Sequence, residues 1–171
     1  MEALAGNITI CPFQIVIDSR EKAPYSFTNL PARASGRGKG LVVPVETKLL
    51  YAGDYSIVGE EISIACERKS LEDLFSTLGQ NRARFEREID RLQGYQVAAV
   101  VIEASWQEIC RPRETRGEGW RSKLSPRSVW ATIFSWSQKY PNVHWWTAGS
   151  RRLGEVMTFE ILERFWREHG R

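Results

Sequence analysis

Gly53-Asp54-Tyr55-Ser56-Ile57-Val58-Gly59-Glu60-Glu61-Ile62-Ser63-Ile64-Ala65-Cys66-Glu67-Arg68-Lys69 reads as a β-hairpin whose return strand ends in charge. Gly53-Asp54 marks a turn into a strand at Tyr55 to Val58, and Gly59-Glu60 a hairpin turn into a strand at Ile62 to Arg68. Side chains alternate faces along a strand. Ile62, Ile64 and Cys66 are therefore expected on the core face, and Ser63, Ala65, Glu67 and Lys69 on the other. A hairpin brings its two ends together, which sets Asp54 across from Glu67. Two carboxylates that would otherwise repel are a reason for a hard divalent cation. Asp18, at the end of an upstream strand, offers a third acid. A strand-borne Asp, Glu-x-Lys set suits phosphodiester cleavage. A divalent metal activates water and neutralises charge on the phosphate, and Lys69 orients the water or stabilises the transition state.

Working upstream, Phe13 to Asp18 reads as a buried strand centred on Ile15-Val16-Ile17. A long connection follows, punctuated by Pro24, Pro31, Gly36, Gly38 and Gly40. Its Ser35-Gly36-Arg37-Gly38-Lys39-Gly40 stretch fits neither a Walker loop nor a dinucleotide fingerprint, and is read as a mobile basic loop. Leu41 to Leu50 is expected to form one strand.

Downstream, Ser70 starts a helix with Leu71, Leu74, Phe75 and Leu78 on its apolar stripe, and Gly79 ends it. A second helix spans Arg82 to Gln93, with Phe85, Ile89 and Leu92 inward. Gln96 to Ile102 is a central strand buried on both faces. Ser125 to Tyr140 is a helix, Val143 to Thr147 a short strand, and Ser150 the N-cap of a final helix to about His169. The order is a β-meander, two helices, then strand-helix-strand-helix, which makes an α/β domain with a mixed central β-sheet flanked by helices. The expected organisation is an N-terminal segment at 1–12, read as a tail or an extra edge strand, and a single domain at 13–171, with no internal repeat.

Composition narrows the chemistry. The 171 residues suit one domain, with 42% hydrophobic and 26% charged residues. No apolar run approaches the ~20 residues of a membrane helix, and the N-terminus lacks the pattern of a signal peptide. Cys11, Cys66 and Cys110 are odd in number and far apart, which argues for a reducing, intracellular compartment and against a disulfide framework or zinc site. His144 and His169 are too isolated for a histidine metal site. Any metal must sit on oxygen, so Mg²⁺ or Mn²⁺ is expected. The net charge of +3 says little alone. Arg111, Arg113, Arg116, Arg121, Lys123 and Arg127 against Glu114 and Glu118 make one segment about +4, either a DNA contact or a solvated loop.

Gly53-Asp54, a gap, Glu67-Arg68-Lys69, three residues and Asp73 resemble the signature of the XPF/Mus-type structure-specific endonucleases: Gly-Asp, a variable gap, Glu-Arg-Lys, any three residues, Asp. Val16-Ile17-Asp18-Ser19-Arg20-Glu21 is similar to that family's first strand and its Asp-x-Arg-Glu continuation. Asn81-Arg82 sits where the family usually has Gly-Arg. Ser125-Pro126 and the Trp130 to Trp136 helix are similar to its later part, so the resemblance covers Gln14 to Arg167.

The resemblance implies a restriction-endonuclease-like core and a metal-dependent DNA endonuclease, acting near branched or flapped DNA with Mg²⁺ or Mn²⁺. It implies that Asp18, Asp54 and Glu67 bind metal, that Lys69 is the catalytic lysine, and that Arg20, Glu21, Arg68, Asp73 and Arg82 support the site. Strand parity turns Arg68 away from Glu67, towards an acid such as Glu21. Asp73 also has capping-box spacing from Ser70, and Glu86, one turn beyond Arg82, is read as a solvated helix position.

Trp106, Trp120, Trp130, Trp136, Trp145, Trp146 and Trp166 all lie in the second half. The resemblance implies pairing there with a partner domain, as homodimer or heterodimer; stacking on bases is the rival reading, and core or partly exposed surface positions the third. Many family members continue into a tandem helix-hairpin-helix domain, and this sequence contains no such module. DNA affinity is then expected from the nuclease surface, a partner or the basic segment. Two alternatives stand beside the nuclease: a non-catalytic DNA-binding or scaffold subunit, and a different nuclease, for restriction or recombination, on the same core.

Overall fold

β-Branched and aromatic residues concentrate in the runs that fold as strands, and apolar residues at helical spacing in those that fold as helices. The computed structural model describes residues 9–30 and 40–170. In chain order the elements are β1 (Thr9–Ile10), β2 (Ile15–Asp18), β3 (Leu41–Val42), β4 (Val45–Lys48), β5 (Tyr55–Ile57), β6 (Ile64–Lys69), α1 (Leu71–Gly79), α2 (Arg82–Leu92), β7 (Val97–Ile102), α3 (Trp106–Cys110), α4 (Pro126–Lys139), β8 (Val143–Thr147) and α5 (Arg151–His169). The Ser35 to Lys39 part of the basic glycine loop lies outside the described residues.

A six-stranded sheet in the order β4-β2-β5-β6-β7-β8 forms the middle layer. The pairs β2–β5 and β5–β6 are antiparallel; β2–β4, β6–β7 and β7–β8 are parallel. The sheet is mixed, as expected. On one face, α1, α2 and α4 cover it, with Leu74, Phe75, Ile89, Val129 and Ile133 buried against Ala65, Ala98 and Val100. On the other, Phe159, Leu162 and Phe165 of α5 cover Ile64, Cys66, Ala99 and Val101. Residues of β6 thus alternate between two cores. Each fully buried large aliphatic or aromatic side chain contributes about 1.5–3 kcal/mol.

Several expectations are corrected. The first four strands are not a meander. β4 runs parallel to β2 on the sheet's outer side, which the long connection after β2 allows. Leu41 to Leu50 is two strands, because Pro44 has no N–H to continue a ladder. Leu41–Val42 instead pairs with Thr9–Ile10, part of the N-terminal segment, in a separate two-stranded sheet. Ile62 is not on the core face. Ser63 and Ile64 donate their N–H groups to the Glu60 carbonyl in a turn, β6 starts at Ile64, and Ile62 is 80% exposed. The short helix α3 was not foreseen, although Ser105 and Glu108 form a capping box at its start.

Candidate active site

Tyr55 pairs with Cys66 in antiparallel register, and the Asp54 N–H donates to the Cys66 carbonyl at 2.8 Å. The next residues out on these strands are therefore Asp54 and Glu67. Both line one cleft of about 510 Å³, together with Lys69 at the end of β6. The turn before β5 needs its glycine. Gly53 has φ +78°, and a Cβ there would lie 3.0 Å from the Ala65 Cβ.

The cleft's electrostatics follow from burial. Desolvation, then the nearby Glu67 carboxylate, pushes Asp54 well above the usual carboxylate range. The Arg68 N–H, donating to Asp54 Oδ2 at 2.7 Å, opposes this only in part. Lys69 Nζ donates to Glu67 Oε1 at 2.6 Å and lies 4.7 Å from the centre of the Phe85 ring. Burial alone would lower the affinity of Lys69 for its proton, but Glu67, Asp54 and Asp73 raise it above the ordinary lysine value. Lys69 is therefore an ammonium held against an acid pair.

Asp18 also lines the cleft, yet its oxygens are already engaged. Oδ1 accepts from the Arg20 backbone N–H and Nε, and Oδ2 from Arg20 Nη2 and the Leu50 N–H, all within 2.8 Å. Four donors match the roughly four lone-pair sites of a carboxylate. Burial works against the Asp18 charge, but these donors hold its carboxyl below the usual range. Among the described residues, no three His, Cys, Asp or Glu side chains gather as a ready metal cage. Of the three acids expected to bind metal, Asp54 and Glu67 are the less engaged, each accepting from one donor. They fit an ion such as Mg²⁺, which binds through one or two carboxylates and keeps several waters, and whose charge would relieve the repulsion that Asp54 suffers.

Behind the strand, Arg68 points away from Glu67, as parity requires. Its guanidinium pairs with Glu21 at 3.2 Å and Glu103 at 3.1 Å, and all three side chains are under 10% exposed. Burial favours a neutral Arg68, but Glu21 and then Glu103 hold it charged, above its ordinary value. The other Glu103 oxygen pairs with Arg151 of α5 at 3.2 Å, tying β6, β7 and α5 together beneath the site.

The other expected site residues separate. Asp73 lines the cleft and also caps α1: its N–H donates to Ser70 Oγ, and its carboxylate accepts from that hydroxyl. Arg82, expected to support the site, ties α2 to α4. It does not line the cleft; its Nη1 donates to Thr132 Oγ1 at 2.7 Å and its guanidinium stacks on Trp136. Glu86 faces Lys139 and Tyr140, away from the cleft. The cleft also takes Arg84, Phe85 and Glu88 from α2, and Glu88 accepts from the Gly53 N–H at 3.1 Å. Sequence reasoning missed these, although the i, i+3, i+4, i+7 spacing from Asn81 puts them on one helix face.

In the basic segment, Arg116 is engaged within the chain. Its Nη2 donates to the carbonyls of Glu108, Ile109 and Arg111, and its guanidinium lies over the Phe75 and Trp120 rings. Arg111, Arg113, Arg121, Lys123 and Arg127 are exposed. Of the tryptophans, Trp136 is buried, Trp120 and Trp145 pack against the core, and Trp166 stacks on Phe13. Trp106 and Trp146 are 38% and 47% exposed.

The family model of the ERCC4 domain matches residues 17–156, a span that holds Asp18, Asp54, Glu67 and Lys69. The chain belongs to the ERCC4 domain family. Among solved structures, this ERCC4 domain is similar to XPF from Aeropyrum pernix, with a TM-score of 0.59 at 20% identity. It is also similar to XPF from Aeropyrum pernix in complex with DNA, with a TM-score of 0.57 at 22% identity. Each match covers 91% of this chain and 66% of the solved one, so the chain spans just under two thirds of those proteins' length. At such identities the likeness establishes the fold, and the XPF-type nuclease-domain architecture expected from the residues is borne out. No match was found among curated proteins.

Proposed function

We propose that this ERCC4 domain is a DNA endonuclease that hydrolyses phosphodiester bonds with Mg²⁺ or Mn²⁺. One observation carries the reading: two carboxylates and one ammonium, from adjoining strands, meet in a cleft where burial makes the Asp54 charge costly. Asp54 and Glu67 would hold the ion. When bound, it would supply charge neutralisation on the phosphate and a water of lowered pKa. Lys69 keeps its proton, so it acts as a donor towards charge growing on the phosphoryl oxygens, not as a base. The Phe85 ring fixes that ammonium. Asp18 takes a positioning role: it holds Arg20 and the Leu50 backbone at the cleft's edge. Asp73 anchors α1 beside the site, and Glu21 with Arg68 sets β6.

Cleavage near flaps, forks or junctions is the finer part of the reading. It rests on the resemblance and on the similarity to an XPF structure in complex with DNA. Pairing with a second domain is a further part; its candidate surface is the apolar groove of about 310 Å³ beside Trp146, between β8 and α5. Light scattering of the parent and Trp146→Asp tests it.

A panel of flap, fork, four-way junction and plain duplex, each with Mg²⁺ and with Mn²⁺, tests the activity. Nicking by the parent, abolished in Asp54→Ala and Lys69→Ala, is expected. Intact DNA after long incubation with Mn²⁺, alongside measurable binding, would instead make the chain a non-catalytic partner.

A further inference from the structure

The helices α3 and α4 expose a group of aromatic rings that the cleft does not use. Trp106 stacks on Phe134 with ring centres 5.7 Å apart and planes 14° apart, and Trp130 meets Phe134 edge-on at 6.0 Å. Phe134 is 54% exposed, far more than a core phenylalanine. Flat rings facing water are a platform on which bases stack, whatever their sequence.

Charge around the rings indicates what would stack there. Arg127, Trp130 and Phe134 fall at i, i+3 and i+7, on one side of α4. Arg111 and Arg113 follow directly on α3, while Arg121 and Lys123 precede α4. Among the described residues, none of these five cations enters an ion pair, although Glu114 and Glu118 share the segment. The acid of α3 is taken, since Glu108 closes the capping box with Ser105. The Trp106 end of the platform also follows the strand ends that border the cleft. Lys69 pairs with Ile102 at the end of β7, and Trp106 begins the next element.

We infer that Trp106, Trp130 and Phe134, flanked by these cations, bind a single-stranded segment of DNA through its unpaired bases. The inference deepens the nuclease reading and rests on it for the choice of DNA: it gives the chain a way to favour substrates with a single-stranded arm.

The test uses the full chain in EDTA, with anisotropy of a labelled oligothymidylate of about fifteen nucleotides and of a blunt duplex of equal length. Phe134→Leu keeps the apolar bulk but loses the flat ring. It should weaken oligothymidylate binding roughly tenfold while leaving the duplex within about twofold, and Phe134→Tyr should restore binding. Arg113→Gln with Arg127→Gln should reduce the salt slope on the single strand by about 1.4. Unchanged oligothymidylate binding in Phe134→Leu overturns the inference. So does a parent dimer, seen by light scattering, that Phe134→Asp dissociates without weakening oligothymidylate binding; the surface is then a protein interface. The nuclease reading fails separately: if the parent never nicks DNA yet Phe134→Leu loses oligothymidylate affinity, only the hydrolytic assignment falls.

Discussion

Replacing Arg68 by methionine removes the cation at the centre of the buried network while keeping most of its apolar stem. Arg68 is 9% exposed, and its partners Glu21 and Glu103 are 6% and 8% exposed. Breaking a buried pair from one side costs about 3–5 kcal/mol, because the remaining charge stays buried without a partner. Glu103 would keep Arg151, whereas Glu21 would keep the Ala23 N–H. The loss therefore falls mainly on Glu21. In a domain of this size, each kcal/mol moves the melting temperature by roughly 2–4 °C, so a drop of roughly 10 °C is expected by calorimetry. Adding Glu21→Gln removes the stranded charge, and the double variant should recover part of the loss. A melting temperature within about 2 °C of the parent for Arg68→Met would refute the claim that this network holds β6.

Asp54→Asn removes a buried charge that faces Glu67 and should raise the melting temperature in EDTA at neutral pH by roughly 5 °C; a lower value contradicts the repulsion. Asp18 sits below its usual carboxylate range, so its contribution is present above that range and lost as pH falls through its folded value. Asp18→Asn should therefore cost roughly 1–2 kcal/mol at neutral pH, after screening of the exposed Arg20, and progressively less in acid, as urea melts across pH would record. Gly53→Ala forces a side chain into a left-handed turn against Ala65 and should destabilise the fold by about 1–2 kcal/mol or more, with loss of nicking.

The sequence carried most of the site because strand parity is a local rule. Glu67 and Lys69 had to share a face, Arg68 had to oppose them, and the Gly53 turn brought Asp54 across. Helix starts at Ser70, Ser125 and Ser150 were legible for the same reason, since a cap needs only neighbouring residues. What stayed hidden depends on partners distant in the chain. The four donors on Asp18 include a backbone group at Leu50, and Arg82 is drawn to Thr132. Thr9–Ile10 finds Leu41–Val42 across a long connection, with no periodicity to announce it. α3 is only five residues long, too short to show a helical stripe. Glu88 reaches the cleft only because α2 packs where it does.

Titration of the metal-free protein with Mn²⁺, followed by the loss of the free-ion electron paramagnetic resonance signal, tests the central claim most directly. Saturable binding in the parent, lost in both Asp54→Asn and Glu67→Gln and kept in Glu86→Gln, is the predicted result. Equal Mn²⁺ affinity in all four proteins would contradict it.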